Sequence, residues 1–391
     1  MRTLEELGEV AGRRVLVRVD FNVPLKDGVI TDDARIRGAL PTLEWLRERG
    51  ARLVLAAHLG RPKGGPDPKL SLAPAAERLG ELLGTQVRLA PAVVGPEVEA
   101  LAGALGDGDV LMLENVRFEA GETKNDPELA KGLARLADLY VNDAFGAAHR
   151  AHASTEGVAH LVERSVAGRL LEREVSVLRG ILEDPARPLV AVVGGAKVTD
   201  KIGVIEAFLE RADTILIGGA MCFPFFKAQG HEVGASLCED EGIDPARRAL
   251  EQAKGASGEL VLPLDLQGGR EFSADTETRA IDGVDVPDGW MGLDVGPKTA
   301  ARYGEVIKGA GTVFWNGPMG AFELEPFSRG TREVAEAVAK CPGTTVVGGG
   351  DSAAALAEFG LDDQVDHLST GGGASLELIE GRALPGVEAL S

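Results

Sequence analysis

The sequence has little cysteine, no long hydrophobic run and no excess of positive charge, and each lack closes off a class of protein. Three cysteines, Cys222, Cys238 and Cys341, are spread through 391 residues. An odd number without zinc-ligand spacing excludes a disulfide framework and points to a reducing compartment, with the thiols as small buried hydrophobes. No stretch nears the ~20 apolar residues of a membrane span. The first residues, MRTLEELGEV, lack the basic and apolar regions of a secretory signal. The expected location is cytoplasmic, with no membrane partner. With 41 Lys plus Arg against 61 Asp plus Glu, a net charge of -20 argues against a nucleic-acid partner held by nonspecific basic attraction. Any phosphate bound here must be held locally. A Walker A loop is missing, and so is G-x-G-x-x-G in the right context, which weighs against the main rival reading, a nicotinamide-dependent dehydrogenase on a similar sheet.

What is present is a long, glycine-rich, globular chain. A single core stops growing near roughly 250 to 300 residues, so the length implies two domains with a cleft between them. The 52 glycines show no collagen period and accompany 44% hydrophobic residues. The charge is uneven: residues 1–170 carry 22 basic and 25 acidic side chains, net -3, while residues 171–391 carry 19 and 36, net -17. Short Val, Ile and Leu runs without polar alternation, at 15–19, 53–57, 110–113, 139–141, 189–193, 215–217, 260–264, 313–315 and 345–347, suit strands covered on both faces. Helix-like stretches at 41–49, 71–83, 127–137, 199–211 and 329–339 lie between them, which predicts an α/β fold of doubly wound parallel sheets. Residues 161–182 read as a helical connector joining the halves.

Ligands of such sheets gather beyond the carboxyl ends of the strands. In RVLVRVDFNVP, period-two geometry places Asp20 and Asn22 on one face, as a polar pair or as plain turn caps ahead of Pro24. Arg35, His58, Arg61, Arg117 and Arg150 follow beside strand-end loops. Singly, each arginine is more often a solvated surface charge, but converging arginines suit a small multiply charged anion, because the guanidinium fork binds phosphate and carboxylate bidentately. His149 and His152 are not assigned to a metal, since His-x-x-His without a further ligand is weak evidence for zinc.

The second half supplies glycine and lysine. In VAVVGGAKVTDKI, Lys197 and Lys201 are expected on adjacent turns of one helix face, where an anion would relieve their repulsion; a plain helix start is the alternative. In TTVVGGGDSAAALAEF, Gly348, Gly349 and Gly350 let backbone amides approach a phosphate, and Asp351 and Ser352 open a helix. A carboxylate there can hold Mg²⁺ on a nucleotide, and Asp351 as the helix N-cap is compatible with that role. Gly371 to Gly373 invite the same reading or that of a mobile loop.

Taken together, these motifs resemble the phosphoglycerate kinase family from end to end. The segments, in order, are VRVDFNVP, HLGRP, LENVRF, DAFGAAHRAHAS, VVGGAKVTDKI, MGLDVGP, FWNGPMGAFE, VVGGGDSAAA, STGGGASLE and LPGVEAL. Departures are small: Thr199 where serine is common, Ala147 where threonine is common, and an unusual GGAMCFPFF. The resemblance implies two doubly wound, Rossmann-like domains joined by a helical hinge, residues 1–165 plus 374–391 taking 3-phosphoglycerate or 1,3-bisphosphoglycerate and residues 166–373 taking Mg-ADP or Mg-ATP. It assigns Asp20, Phe21, Asn22, Arg35, His58, Leu59, Gly60, Arg61, Arg117 and Arg150 to the acid. It assigns Lys197, Lys201, Gly292, Asn316, Glu323, Gly348, Gly349, Gly350, Asp351 and Ser352 to the nucleotide, with Glu323 on the ribose and Asp351 on Mg²⁺. Arg35, Lys197, Gly349 and Gly350 would be catalytic, in a monomer with no nucleic-acid partner, by direct in-line transfer in a closed interdomain cleft. No general base is needed, because the attacking oxygen is already ionised at pH 7; positioning and positive charge suffice.

Overall fold

The computed structural model describes residues 1–63 and 65–391. The chain forms two compact units, Met1–Ser176 with Ala383–Ser391, and Val177–Arg382. Residues 166–176 therefore cluster with the first unit and 374–382 with the second, opposite to the assignment made from the sequence.

In the first unit the apolar runs become β1 (Arg14–Val19), β4 (Arg52–Ala56), β6 (Val110–Met112) and β7 (Leu139–Asp143); β5 (Val87–Leu89) and β8 (Arg164–Ala167), which no run marked, complete the sheet, and a small hairpin of β2 (Leu25–Lys26) and β3 (Val29–Ile30) follows β1. The six longer strands pair only in parallel, in the order β5-β6-β4-β1-β7-β8. Val15 faces Leu53 on one side and Leu139 on the other, and Val17 faces Leu55 and Val141, so the middle of the sheet is apolar, while Arg18 beside Asn142 brings polar groups in near its carboxyl end. Helices α1 (Ala34–Glu48), α2 (Ala73–Leu83), α3 (Pro96–Gly103) and α4 (Pro127–Ala134) connect the strands. Ile36, Leu43 and Leu46 of α1 and Leu79 of α2 complete a core with the strand valines and leucines.

Two helix expectations need correction. The stretch 41–49 is the second half of α1, which begins at Ala34: Arg37 N–H already bonds Asp33 C=O, so Pro41 sits inside the helix at the cost of one backbone bond. Arg35 consequently lies on the first helical turn. The connector 161–182 is not one helix. Its first part pairs as β8 along β7, Arg164 opposite Leu139, and α5 (Arg169–Glu183) starts only where Asp143 Oδ1 accepts from the amides of Leu170 (2.9 Å) and Leu171 (3.2 Å).

The second unit contains β9 (Leu189–Val193), α6 (Ile202–Leu209), β10 (Thr214–Ile217), α7 (Cys222–Ala228), α8 (Ile243–Ala253), β11 (Glu259–Val261), β12 (Leu266–Gly269), β13 (Thr278–Ile281), β14 (Met291–Val295), α9 (Pro297–Lys308), β15 (Thr312–Asn316), α10 (Arg329–Ala339), β16 (Thr344–Gly348), α11 (Gly350–Phe359), β17 (His367–Leu368) and α12 (Gly373–Ile379). Its parallel sheet runs β11-β10-β9-β15-β16-β17, the strand order of a dinucleotide-binding sheet. The antiparallel sheet β13-β12-β14 was not foreseen. Strands such as LQGG and TRAI are short, and their burial shows no continuous apolar run. After α12 the chain returns through α13 (Pro385–Glu388), where Gly386 N–H bonds Ala148 C=O and Asn142 Nδ2 donates to Gly386 C=O, within the first unit.

Candidate functional site

Sheets of this kind open a crevice where the strand order reverses. In the first unit that point lies between β1 and β7, and β1 runs directly into Asp20 and Asn22. A cleft of about 750 Å³ there is lined by Asn22, His58, Gly60, Arg61, Arg117 and Arg150, with His149 and His152 on its wall. Backbone carbonyls and side-chain amides set these groups. Asn22 Oδ1 accepts from Gly60 N–H at 2.8 Å, and Arg117 Nη1 donates to Gly60 C=O at 2.6 Å, so the glycine loop is held from two sides. Arg150 Nε donates to His149 Nε2 at 3.0 Å.

Asp20 and Arg35 do not line this cleft but pair with each other, and Asp20 Oδ1 accepts from Asn22 N–H at 3.3 Å. The Asp20 carboxylate is buried, whereas the Arg35 side chain remains about a third exposed. Phe21 and Leu59 are core side chains, so either one can present only its backbone to a ligand. Burial lowers the pKa of Arg117, with Arg18 and other arginines adding to the effect. Burial first, then Arg18, Arg117 and Arg35, holds His58 well below the usual histidine value. His152 is held down near 4 by burial and the same arginine field. This is a concentrated positive site in which both imidazoles are neutral at pH 7.

Two groups that carry no ligand assignment, Asn115 and Arg18, hold this site from below. Asn115, fully buried, accepts on Oδ1 from the amides of Leu59 and Arg117 and donates through Nδ2 to the carbonyls of Leu59 (2.7 Å) and Leu70 (2.9 Å). Its place two residues beyond the 110–113 apolar run marks it as a strand-end residue, but not the backbone groups it braces. Arg18 is 1% exposed on the central strand, where a charged residue inside a valine run was the clue.

In the second unit the order reverses between β9 and β15. The loops leaving these strands are laced together: Gly194 N–H bonds Asn316 C=O and Gly195 N–H bonds Pro318 C=O, both at 2.9 Å. A Cβ on Gly194 would collide with the carbonyls of Pro318 and Gly317, so only glycine permits this approach. The adjacent cleft, about 930 Å³, is lined by Gly195, Gly292, Glu323 and Asp351 and by an apolar wall that includes Phe223, Leu293 and Met319. Leu237 and Phe272, 64% and 60% exposed, stand among the lining residues. The sequence did not single them out.

The lysine expectation needs revision. Helix α6 starts at Ile202, so Lys197 lies on the preceding loop and the two lysines do not share a helix face. Lys197 is exposed, with no salt bridge among the described residues. Lys201 instead folds back and donates Nζ to the carbonyls of Gly194 (2.5 Å) and Asn316 (3.2 Å). Burial lowers its pKa to about 8 against the opposing pull of Asp351 and Asp200. Neither lysine lines the large cleft, nor do Asn316, Gly348, Gly349, Gly350 and Ser352.

Those residues build the glycine turn beside it. β16 ends at Gly348, and Gly349 takes φ +94° at the N-cap of α11. This position belongs to the glycine-favoured region, and a Cβ there would press on Asn316 Nδ2. Asp351 is therefore the second residue of α11, in its first turn and exposed, and is not the cap residue. Ser352 Oγ is buried and accepts from Gly317 N–H at 2.6 Å, tying α11 to the β15 loop. Asn316 Nδ2 donates to Gly348 C=O at 2.8 Å, so its amide braces the loop.

Among the described residues no three His, Cys, Asp or Glu side chains cluster as a cage for a divalent cation. A single exposed carboxylate at a helix N-terminus fits an ion whose remaining ligands are phosphate oxygens and water.

Comparisons with known proteins establish the family. The family model described as Phosphoglycerate kinase matches residues 4–382. A Thermosipho africanus phosphoglycerate kinase is 55% identical over 98% of this chain and 96% of its own, and one from Chloroherpeton thalassium 54% identical over 97% of each. The solved phosphoglycerate kinase of Coxiella burnetii superposes with a TM-score of 0.90 at 44% identity, covering 99% of this chain and 98% of that one. The corresponding Pyrococcus horikoshii structure gives 0.86 at 34% identity, covering 100% and 98%. With ten motifs in order, two parallel six-stranded sheets and a match over nearly its whole length, the chain belongs to the phosphoglycerate kinase family.

Proposed function

We propose that the family's reaction, reversible phosphoryl transfer from 1,3-bisphosphoglycerate to ADP, is divided here between an acid site in the first unit and a nucleotide site in the second. The observation that carries this division is the pairing of two strand-end clefts of opposite chemistry. One is ringed by His58, Arg61, Arg117 and Arg150 and suits a phosphorylated carboxylic acid. The other joins an apolar wall to a glycine turn, which suits a purine base and its phosphates.

Asp20, Asn22 and the backbone of Phe21, Leu59 and Gly60 position the acid among the arginines. In the nucleotide site, Phe272 and Leu237 cover the base, Gly292 admits it, and Glu323 binds the ribose. Gly292 is suited to that role because a Cβ there would strike the Phe223 ring. Lys201 and the amides of Gly349 and Gly350 hold phosphate oxygens, with Gly348, Asn316 and Ser352 fixing the turn. Asp351 would hold the Mg²⁺ that accompanies the nucleotide, and the ion would neutralise phosphate charge. Arg35 and Lys197 supply positive charge to the equatorial oxygens of the transferring phosphoryl group, since no proton has to be removed from the attacking oxygen.

We further propose a cytoplasmic monomer. No helix among the described residues is long and apolar enough to cross a membrane, and the sequence has no heptad seam. Formation of ATP from 1,3-bisphosphoglycerate and ADP in a coupled assay tests the activity directly; no ATP formation would overturn it. A dehydrogenase would reduce NAD instead.

Two substitutions test the nucleotide assignment. Phe272→Ala should raise the KM for MgADP about tenfold, the worth of one base-stacking contact, and leave that for 3-phosphoglycerate alone. Asp351→Ala should weaken MgADP about tenfold with metal-free ADP little changed. Equal weakening of both forms, measured by calorimetric titration, contradicts the metal role.

A further inference from the structure

Beneath the arginine cleft runs a buried polar chain that phosphoryl transfer does not itself require. Glu122 is 0% exposed although it lies in the polar segment GETKND. Its two oxygens are taken by one residue: Oε1 accepts from the Ser154 hydroxyl at 2.5 Å and Oε2 from the Ser154 amide at 3.0 Å. Tyr140 on β7 holds the same residue by donating to Ser154 C=O at 2.8 Å. Ser154 Oγ in turn accepts from Arg18 Nε at 2.8 Å, and Arg18 Nη2 reaches His58 Nδ1 at 3.0 Å.

The chemistry of the last link is decisive. A guanidinium has donors only, so Nδ1 of His58 must be the acceptor and the ring proton must sit on Nε2. His58 lines the cleft, and with Nδ1 occupied its only remaining polar group is that N–H. The groups around the ring are Arg18 from β1, Arg35 from α1, Arg117 and His152, all of which disfavour a second proton. Glu122 is the buried anion facing this set; burial raises its pKa while Arg18 and Arg117 pull it back. His152 Nδ1 lies 3.8 Å from Glu122 Oε1.

We propose that Glu122, acting through Ser154 and Arg18, is a positioning residue that fixes His58 as a neutral Nε2–H donor to the substrate anion. The arginines then carry all the positive charge of the site, and the imidazole supplies direction. Without Glu122, the Ser154 hydroxyl loses its acceptor and Arg18 is left with the Val19 carbonyl, at 2.5 Å, to orient its fork, so the bond that selects the His58 tautomer loosens. The inference rests on the assignment of this cleft to phosphoglycerate.

Ser154→Ala cuts the chain while keeping both end charges. Nitrogen-15 spectra of the histidine rings in the full-length protein report the tautomer without any ligand, and steady-state kinetics report the consequence. The expected result is a change of His58 from a single Nε2–H form to a mixture, with KM for 3-phosphoglycerate up about tenfold and both kcat and KM for MgATP within about twofold. Ser154→Thr, which retains the hydroxyl, should restore both readouts. Glu122→Gln, similar in shape but uncharged, should reproduce the mixture, and it carries the test should Ser154→Ala lack a cooperative melt. A single Nε2–H form persisting in Ser154→Ala, or in Glu122→Gln where that variant stands in, overturns the relay. Mixed tautomers with unchanged KM for 3-phosphoglycerate overturn the positioning role. If 3-phosphoglycerate leaves the His58 signals of the wild-type protein unmoved, the acid-site assignment itself fails.

Discussion

Lys197→Ala lowers kcat about a thousandfold while the affinity for MgADP stays within about threefold. A charged donor aimed at oxygens that gain charge only in the transition state is worth roughly two to three decades in kcat, and its loss leaves ground-state binding nearly intact. Lys197 makes this a clean experiment: it is exposed on the loop before α6 and has no salt bridge among the described residues. Its removal should shift thermal stability little. Arg35→Ala should give a loss of similar size, but with a stability cost of about 1 to 3 kcal/mol, because the buried Asp20 carboxylate then lacks its ion-pair partner. Arg35→Lys separates the two effects by restoring a cation to Asp20 without the planar fork. Near-normal turnover in Lys197→Ala, measured with saturating substrates, would remove it from the chemistry.

Lys201→Met raises the KM for MgADP about a hundredfold and changes how stability depends on pH. The ammonium group ties the β9 and β15 loops through the carbonyls of Gly194 and Asn316, so the phosphate turn loses both its brace and its charge. The pH effect follows from the depressed pKa of about 8 against 10.5 unfolded. Below pH 8 both states are protonated and the full cost of burying the charge is present. Between pH 8 and 10.5 the unfolded chain binds more protons than the folded one, so stability rises with pH by up to about 3 kcal/mol. Lys201→Met removes the titrating group, so the rise should be present in the wild-type stability curve, absent from the variant's, and recovered as the difference between them. Trp315 and Trp290 lie buried in the same unit and report its unfolding by fluorescence in urea. Parallel curves across this window would show that Lys201 does not titrate there.

Local chemistry was enough for much of the architecture. Leucine and valine runs such as 189–193 have no polar position to turn toward water, so they are strands only where a sheet is covered on both faces, and β9 is buried along its length. The glycines after such runs, and the charged residues a few positions on, marked both strand ends. Where a local signal competes with a contact distant in sequence, the reading failed. Residues 161–182 have helical periodicity in their second half, but β7 offered the first half a free edge, and Asp143 set where the helix could begin. Spacing of four suggested that Lys197 and Lys201 share a helix face, but Lys201 bends back to carbonyls of two loops, one of them 115 positions away.

The sequence by itself determined two parallel-sheet units, the strand ends at which chemistry collects, and the family. Those features depend on side-chain hydrophobicity and backbone freedom, which each residue carries with it. Only the tertiary structure decided which polar groups are dry and what they touch. Glu122 reads as a solvated carboxylate in GETKND, and Arg18 as one charge in a strand, until folding brings Ser154 between them. Phe272 and Leu237 likewise acquire a purpose only as lining residues of one cleft. A charge or a ring becomes a site through the desolvation and partners that distant segments supply, and those are properties of the packed chain.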